Sequence, residues 1–192
     1  RGIGLELVKL FSNENYNVIA LSRDISAISH IKNISSINTD LSLPNSIKKS
    51  VEFINNKFDH VDILINNAGQ LVNKPFNKTT FNDFNSSCHI VNISSIGGIA
   101  GSSKFSGLSA YSSSKGALNI LTEMLSEEFK ESDIKINSLA LGAVQTEMLN
   151  DAFPGYKAPL SAKEMAKFIL DFSLNGSKFF NGKIIPVSIS NP

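Results

Sequence analysis

HIVNISSIGGIAGSSKFSGLSAYSSSK, residues 89–115, decides how the rest of the chain is read. Its front, His89 to Ile93, is a short apolar run rich in β-branched residues, which predicts a buried parallel strand. Ser94 and Ser95 fall where that strand ends. A Gly/Ser-rich loop follows, with Gly97, Gly98, Gly101 and Gly107. Tyr111 and Lys115 then begin a helix, AYSSSKGALNILTEMLSEEF. Four residues apart, they share one helix face about one turn apart. Open α/β sheets place their chemistry at the carboxyl ends of strands, and this helix starts beside one. A serine hydroxyl, a phenol and an ammonium can therefore meet at one point. A plainer reading exists: Tyr and Lys at i and i+4 are a common surface pair, and Ser-Ser after a strand is ordinary turn chemistry.

Upstream of that stretch, Val61 to Ile65 (VDILI) reads as another buried strand. Asn66-Asn67-Ala68-Gly69 sits at its carboxyl end, a turn suited to presenting backbone and amide groups to a ligand. A parallel crossover needs a dozen or more residues and usually a helix. Between Gly69 and Cys88 there is Pro75, then only Thr80 to Asn85 as a helical start. Either this crossover is unusually reduced, or residues are absent between about Phe84 and Cys88. Absence is the preferred reading, because a first strand is also wanting at the other end.

That first strand is expected before Arg1. Leu5, Val8, Leu10 and Phe11 follow Arg1-Gly2-Ile3-Gly4 at helical spacing. Gly2 and Gly4 thus lie at a helix N-terminus, where free N–H groups and the helix dipole attract a phosphate and glycine allows close approach. Tyr16 to Leu21 is the next strand, closed by Ser22-Arg23-Asp24. At such a strand end an acidic residue takes a ribose 2′-OH, whereas an arginine accommodates a 2′-phosphate. A solvated arginine in a turn is the alternative. Ile34 to Thr39 is a further strand, followed by Asp40 and Leu41. Ser46 to Phe58 is an amphipathic helix whose start is set by Pro44.

Downstream, Ile134 to Leu139 is a strand. Leu141 to Met148 is a loop that continues through Phe153 and Pro159 and can cover a ligand site. Ser161 and Glu164 form a capping box for a helix to Phe172. Lys183 to Ile189 is the last strand, and Pro186 argues for an edge position. The elements together predict an α/β doubly wound parallel sheet in three layers, α/β/α, with residues 1–192 as one domain.

Composition narrows the function classes. Hydrophobic residues make up 42% and the formal net charge is +1, which gives no electrostatic reason to expect nucleic acid or an anionic membrane. Cys88 is the only cysteine, so an intrachain disulfide framework and a thiolate-rich metal site are excluded. His30, His60 and His89 lack ligand spacing, and no metal site is expected. No apolar run reaches bilayer-spanning length. No signal peptide opens the chain, and a reducing cytoplasm is the default location. No Walker-type phosphate loop occurs.

The pieces in this order closely resemble the classical short-chain dehydrogenase/reductase family. Gly2-Ile3-Gly4 matches the end of its glycine-rich turn, and residues 66–69 match its Asn-Asn-Ala-Gly element. Ser95, the second serine of Ile-Ser-Ser, matches its catalytic serine. Tyr111 and Lys115 match its Tyr-x-x-x-Lys. Asn137, Leu141-Gly142 and Thr146 follow its downstream pattern, with leucine where the family carries proline. The resemblance implies a Rossmann-type fold and hydride transfer between a nicotinamide and a small carbonyl or alcohol substrate.

It also implies roles. Tyr111 would be the general acid/base, Lys115 would hold the nicotinamide ribose and favour the phenolate, and Ser95 would bind the substrate oxygen. Arg1, Gly2, Ile3, Gly4, Ser22, Arg23, Asp40, Leu41, Asn67, Ala68, Gly69, Gly142, Val144 and Thr146 would contact the cofactor. Arg23 and Arg1, two guanidiniums around a 2′-phosphate, favour NADP(H), and an NADPH pool suits a carbonyl reductase. Phe105, Leu108, Met148, Leu149, Phe153 and Tyr156 would wall an apolar or aromatic substrate. A homodimer or homotetramer is expected. The family's helix after Asn-Asn-Ala-Gly, with its relay asparagine, has no counterpart, and Asn85 comes too soon to be that residue. The alternative is a non-catalytic nucleotide-binding member with a structural or regulatory role.

Overall fold

The structure is a computed structural model that describes residues 1–67 and 88–189. Ala68, Gly69 and the questioned crossover, including Pro75 and Asn85, lie outside the described residues. Helix α1 (Gly2–Asn13) leads into β1 (Val18–Ser22), and then come β2 (Ile34–Asn38), α2 (Pro44–Lys57) and β3 (Ile63–Asn66). After them run β4 (His89–Ser95), α3 (Ser109–Glu128), β5 (Lys135–Leu141) and a short β6 (Val144–Gln145). The last elements are α4 (Glu147–Ala152), β7 (Leu160–Ser161), α5 (Ala162–Asn175) and β8 (Ile184–Val187).

Every described pairing is parallel. β1 pairs with β2, and the main sheet runs β3-β4-β5-β8. Val18 of β1 and Ile63 and Ile65 of β3 pack against one shared core, although among the described residues no strand bonds to both β1 and β3. Among the described residues β8 ends the main sheet, and its Pro186 is of the kind that edge strands tolerate.

β4 shows why the sheet needs helices on both faces. Its residues His89 to Ser94 are all buried, so neither face meets water. Val91 and Ile93 face one core, with Leu7 and Phe11 of α1 and Met165, Ile169 and Leu170 of α5. Ile90 faces the other, with Ile136, and Leu125 and Phe129 of α3 and its end pack there. This is the three-layer, Rossmann-type arrangement. α5 starts as the capping box requires: Ser161 Oγ accepts from Glu164 N, while the Glu164 carboxylate accepts from Ser161 N.

Two local readings change. Pairing with β5 continues to Ser95↔Leu141, so both serines belong to the strand. The segment after β5 is not a long loop. Buried Val144 starts β6, which pairs with β7, and Thr146 accepts from Leu149 N to cap α4.

At the far end of the sheet His89 joins β4 to its neighbours. Its Nδ1 donates to the Ser173 carbonyl at 2.9 Å, and its Nε2 accepts from Asn137 Nδ2 at 3.1 Å. Asn137 also donates to Phe180 O and accepts from Lys183 N. Both residues are thus structural here. Among the described residues no cluster of metal-ligating side chains occurs, and no helix is long and apolar enough to cross a membrane.

Candidate active site

β4 delivers Ser95 to the carboxyl edge of the sheet, and a 3-10 turn, Ile96–Gly98, leaves from it. Ser95 Oγ accepts from Gly97 N at 3.2 Å and lies close enough to the Tyr111 phenol to favour its ionised form. One lone pair is therefore engaged by the backbone. The hydroxyl proton is left for Tyr111 or for a ligand oxygen.

Tyr111 and Lys115 project from the first turns of α3. Lys115 Nζ donates to the Ile93 carbonyl at 2.7 Å and stands 5.9 Å from the Tyr111 ring centre. Burial pushes the Tyr111 phenol above its usual range, and the Ser95 hydroxyl only partly offsets this. Burial alone pulls the Lys115 ammonium below its usual value. The sequence reading has the Lys115 ammonium favour the phenolate together with the charge of a bound nicotinamide; burial acts against the charged form of both groups.

Glycines let the serine turn lie on the helix. A Cβ at Gly98 would stand 2.6 Å from the Lys115 carbonyl carbon and 2.7 Å from Gly116 N. Only glycine permits that backbone-on-backbone contact. Ser94 Oγ donates to Lys115 O at 3.3 Å, and Asn119 Nδ2 donates to Gly98 O at 3.3 Å. Sequence reasoning missed Ser94, Gly98 and Asn119. Asn119 had a usable signal, since it lies one turn beyond Lys115 on the same helix.

The phosphate-binding prediction can be tested on α1. Gly2 has φ +57, a left-handed conformation suited to glycine. A Cβ at Gly4 would come within 2.6 Å of Asn67 Nδ2, so the end of the Asn67 side chain would have to shift for any larger residue. Beside them is a cleft of about 420 Å³, lined in part by Gly2, Thr146, Glu147, Ser161 and Lys163. Of the two glycines only Gly2 opens on this cleft, whose lining also includes the carboxylates of Glu6 and Glu147. Ile3 packs on the core beneath it. Val144 is buried, and Gly142 N donates to Val187 O at 2.9 Å.

The β1–β2 edge is open by contrast. Arg1 and Arg23 are exposed, as is Leu41. Asn38 Nδ2 donates to the Arg23 carbonyl at 2.7 Å, and Ser22 Oγ accepts from Asp24 N at 3.4 Å. Asp40 Oδ1 accepts from Ser42 Oγ and Ser42 N. These bonds hold its carboxyl below the ordinary range, with a small contribution from the charge of Arg23. Phe105, from the loop between Ser95 and Tyr111, meets Phe153, at the end of α4, edge to face at 5.3 Å.

A family model described as short chain dehydrogenase matches residues 1–90 and 85–157. The chain belongs to the short-chain dehydrogenase/reductase family, and it is an oxidoreductase by that membership. An uncharacterised oxidoreductase of Staphylococcus saprophyticus is 25% identical over 86% of this chain and 84% of its own length. A fatty acyl-CoA reductase of Acinetobacter baylyi is 28% identical, over 88% of this chain and 68% of the relative. Carbonyl reductase family member 4 of Xenopus laevis is 27% identical, over 79% and 75%. Among solved structures, ElxO with NADP bound superposes with a TM-score of 0.76 at 26% identity, covering 97% of this chain and 93% of that one. A Serratia marcescens short-chain dehydrogenase/reductase mutant gives 0.78 at 22% identity, over 98% and 92%, and it supports the fold alone.

Proposed function

We propose that this protein is an NADP(H)-dependent reductase of small apolar or aromatic carbonyl compounds, with Tyr111 as general acid. The observation that carries the reading is the placing of Ser95, at the end of β4, beside Tyr111 and Lys115 on one face of α3. The hydride is the chemistry that a bound nicotinamide dinucleotide supplies. The glycine cradle at Gly2 and Gly4 is suited to its phosphates, and Thr146 borders the cleft on which Gly2 opens.

The chain's own residues would do the rest. Ser95 donates to the substrate oxygen and orients it, an oxyanion-type role. Tyr111 delivers its proton to that oxygen as negative charge builds there, and takes one back in the reverse direction. A phenol of ordinary pKa about 10 is a poor base at neutral pH. Burial raises it further, so Tyr111 rests in the protonated state that reduction requires. Lys115 is assigned to the ribose hydroxyls, and its charge favours the phenolate left after proton transfer.

Exposed Arg23, just after β1, supports the choice of NADP(H), since a guanidinium at that strand end can pair with a 2′-phosphate. The NADP-bound ElxO structure points the same way, and the relatives named a carbonyl reductase and a fatty acyl-CoA reductase support reduction of a carbonyl group. A homo-oligomer is the assembly we propose. The test is an activity screen of the purified protein with NADPH and with NADH against aldehydes, ketones and quinones. Turnover with NADPH that Tyr111→Phe removes supports the reading. Binding of either dinucleotide without turnover of any carbonyl would leave a non-catalytic nucleotide-binding protein instead.

A further inference from the structure

We infer that Asn119 is the positioning residue for the Ser95 hydroxyl, acting through the Gly98 carbonyl and the turn that carries Gly97 N–H. This rests on the role given to Ser95 above. Asn119 is 5% exposed, in a helix whose neighbouring residues 118 and 121 are leucines. A buried amide at such a place is costly unless both ends are paired. Both are. Ser138 Oγ, fully buried on β5, donates to Asn119 Oδ1 at 3.0 Å, and Asn119 Nδ2 donates to Gly98 O at 3.3 Å. A carbonyl can only accept, so the amide has one orientation.

The bond matters because of what Gly98 belongs to. Gly98 closes the Ile96–Gly98 turn, in which Ile99 N donates to Ile96 O at 2.9 Å. The middle residue of that turn, Gly97, donates its N–H to Ser95 Oγ. Holding the turn on α3 therefore holds the donor that orients the serine, and the same helix carries Tyr111. Asn119 fixes the distance between the two candidate catalytic hydroxyls without touching either. Ser138 keeps the amide from turning over.

Two variants test this. In Asn119→Leu the volume stays and both bonds go. In Asn119→Asp the neutral acid can still donate to Gly98 O and accept from Ser138, whereas the carboxylate puts an acceptor against a carbonyl. The first readout is backbone amide hydrogen exchange at Gly97 and Ile99, which needs neither substrate nor cofactor. The second is kcat and the NADPH dissociation constant, each followed against pH.

For N119L we expect lost protection at both amides and a kcat about 2- to 12-fold lower at every pH, the equivalent of one ordinary hydrogen bond. NADPH affinity should stay within about twofold, given that the bond lies away from the glycine cradle. For N119D we expect protection and kcat near wild type at low pH, both falling together as the carboxyl ionises. The titratable groups on the same helix, Tyr111, Lys115, Glu123, Glu127 and Glu128, are present in the wild type as well, so the diagnostic limb is the one that only N119D shows. Wild-type protection and kcat in N119L would overturn the inference. So would an N119D profile that follows either wild type or N119L throughout, or a loss of NADPH affinity as large as the loss of kcat. If the wild type reduces no carbonyl, the proposed function fails, and the amide exchange still decides the role of Asn119.

Discussion

The two sides of the candidate site are built differently. The Ser95 side is buried strand, glycine contact and helix, with hydrogen bonds spanning up to 22 residues of sequence. The β1–β2 side is exposed: its Asp40 is held by Ser42, two residues away, and Arg23 projects into solvent. Packing fixes the first side before any ligand arrives. On the second, few contacts constrain the charged groups, so a ligand's own charge has more to decide. The lesson is a division of labour. Substitutions on the packed side should act on turnover, and those on the open side on which dinucleotide binds.

The largest expected effect tests the packed side. Tyr111→Phe removes only the phenolic O–H, and the proton-transfer step should slow by about 10²- to 10⁴-fold. NADPH affinity should stay within a few-fold, measured by fluorescence titration of the purified variant. Near-wild-type turnover would sink the assignment of Tyr111. A large loss of affinity instead would erase the contrast between the two sides.

The open side comes next. A charge-assisted contact to phosphate contributes about 1.5–3 kcal/mol, or about 10- to 150-fold in affinity. Arg23→Ala should weaken NADPH by about that factor and leave NADH little changed. Arg1, N-terminal to the glycine cradle and exposed, should contribute less. If Asp24 takes ribose hydroxyls instead, NADH is preferred and R23A changes nothing. Its carboxylate already accepts from Ser26 N at 2.9 Å, which favours a role in the local turn.

The same contrast explains what could be read from the sequence. Tyr111 and Lys115 were legible because helix periodicity alone puts i and i+4 on one face. Ser95 was legible because it ends an apolar run. Parallel pairing and the edge position of β8 also followed from local pattern. Asn119, Ser94 and Gly98 were not legible as a group, because what joins them is a backbone approach between a turn and a helix 18 residues apart. The β6–α4–β7 segment was missed because short strands and a two-turn helix carry too little periodicity. Val144 and the Thr146 cap reveal it only once their partners are placed.

A smaller effect would sharpen the substrate wall. Phe105 and Phe153 join the loop carrying Ser95 and Tyr111 to the segment that begins at Thr146. An edge-to-face pair is worth about 0.5–1.5 kcal/mol beyond its burial. A double-mutant cycle on kcat/KM, using F105A, F153A and the double variant with one aromatic and one small aliphatic carbonyl substrate, should show coupling of that size. Strictly additive effects on both substrates would mean that the pair does not act as one wall.

His89 supplies the control for the claim that burial by itself does not make chemistry. It is as buried as the residues of the packed side, 4% exposed, yet it lies at the opposite end of β4 from Ser95. Burial holds its imidazole below the ordinary value, partly offset by the bond to the Ser173 carbonyl. Its Nε2 must stay unprotonated to accept from Asn137. The sign follows from proton counting. Between the lowered folded value and the unfolded value of about 6.5, the unfolded chain binds the extra proton. Stability is then fully present above about 6.5 and is lost as pH falls through that window. Thermal unfolding should show Tm declining from pH 7.5 toward pH 5 with a component that His89→Gln removes, since glutamine has no proton to gain. Turnover of H89Q per folded molecule should match wild type. A kcat that titrates with His89 would join the far end of the strand to the chemistry and break the separation between a packed scaffold and a packed site.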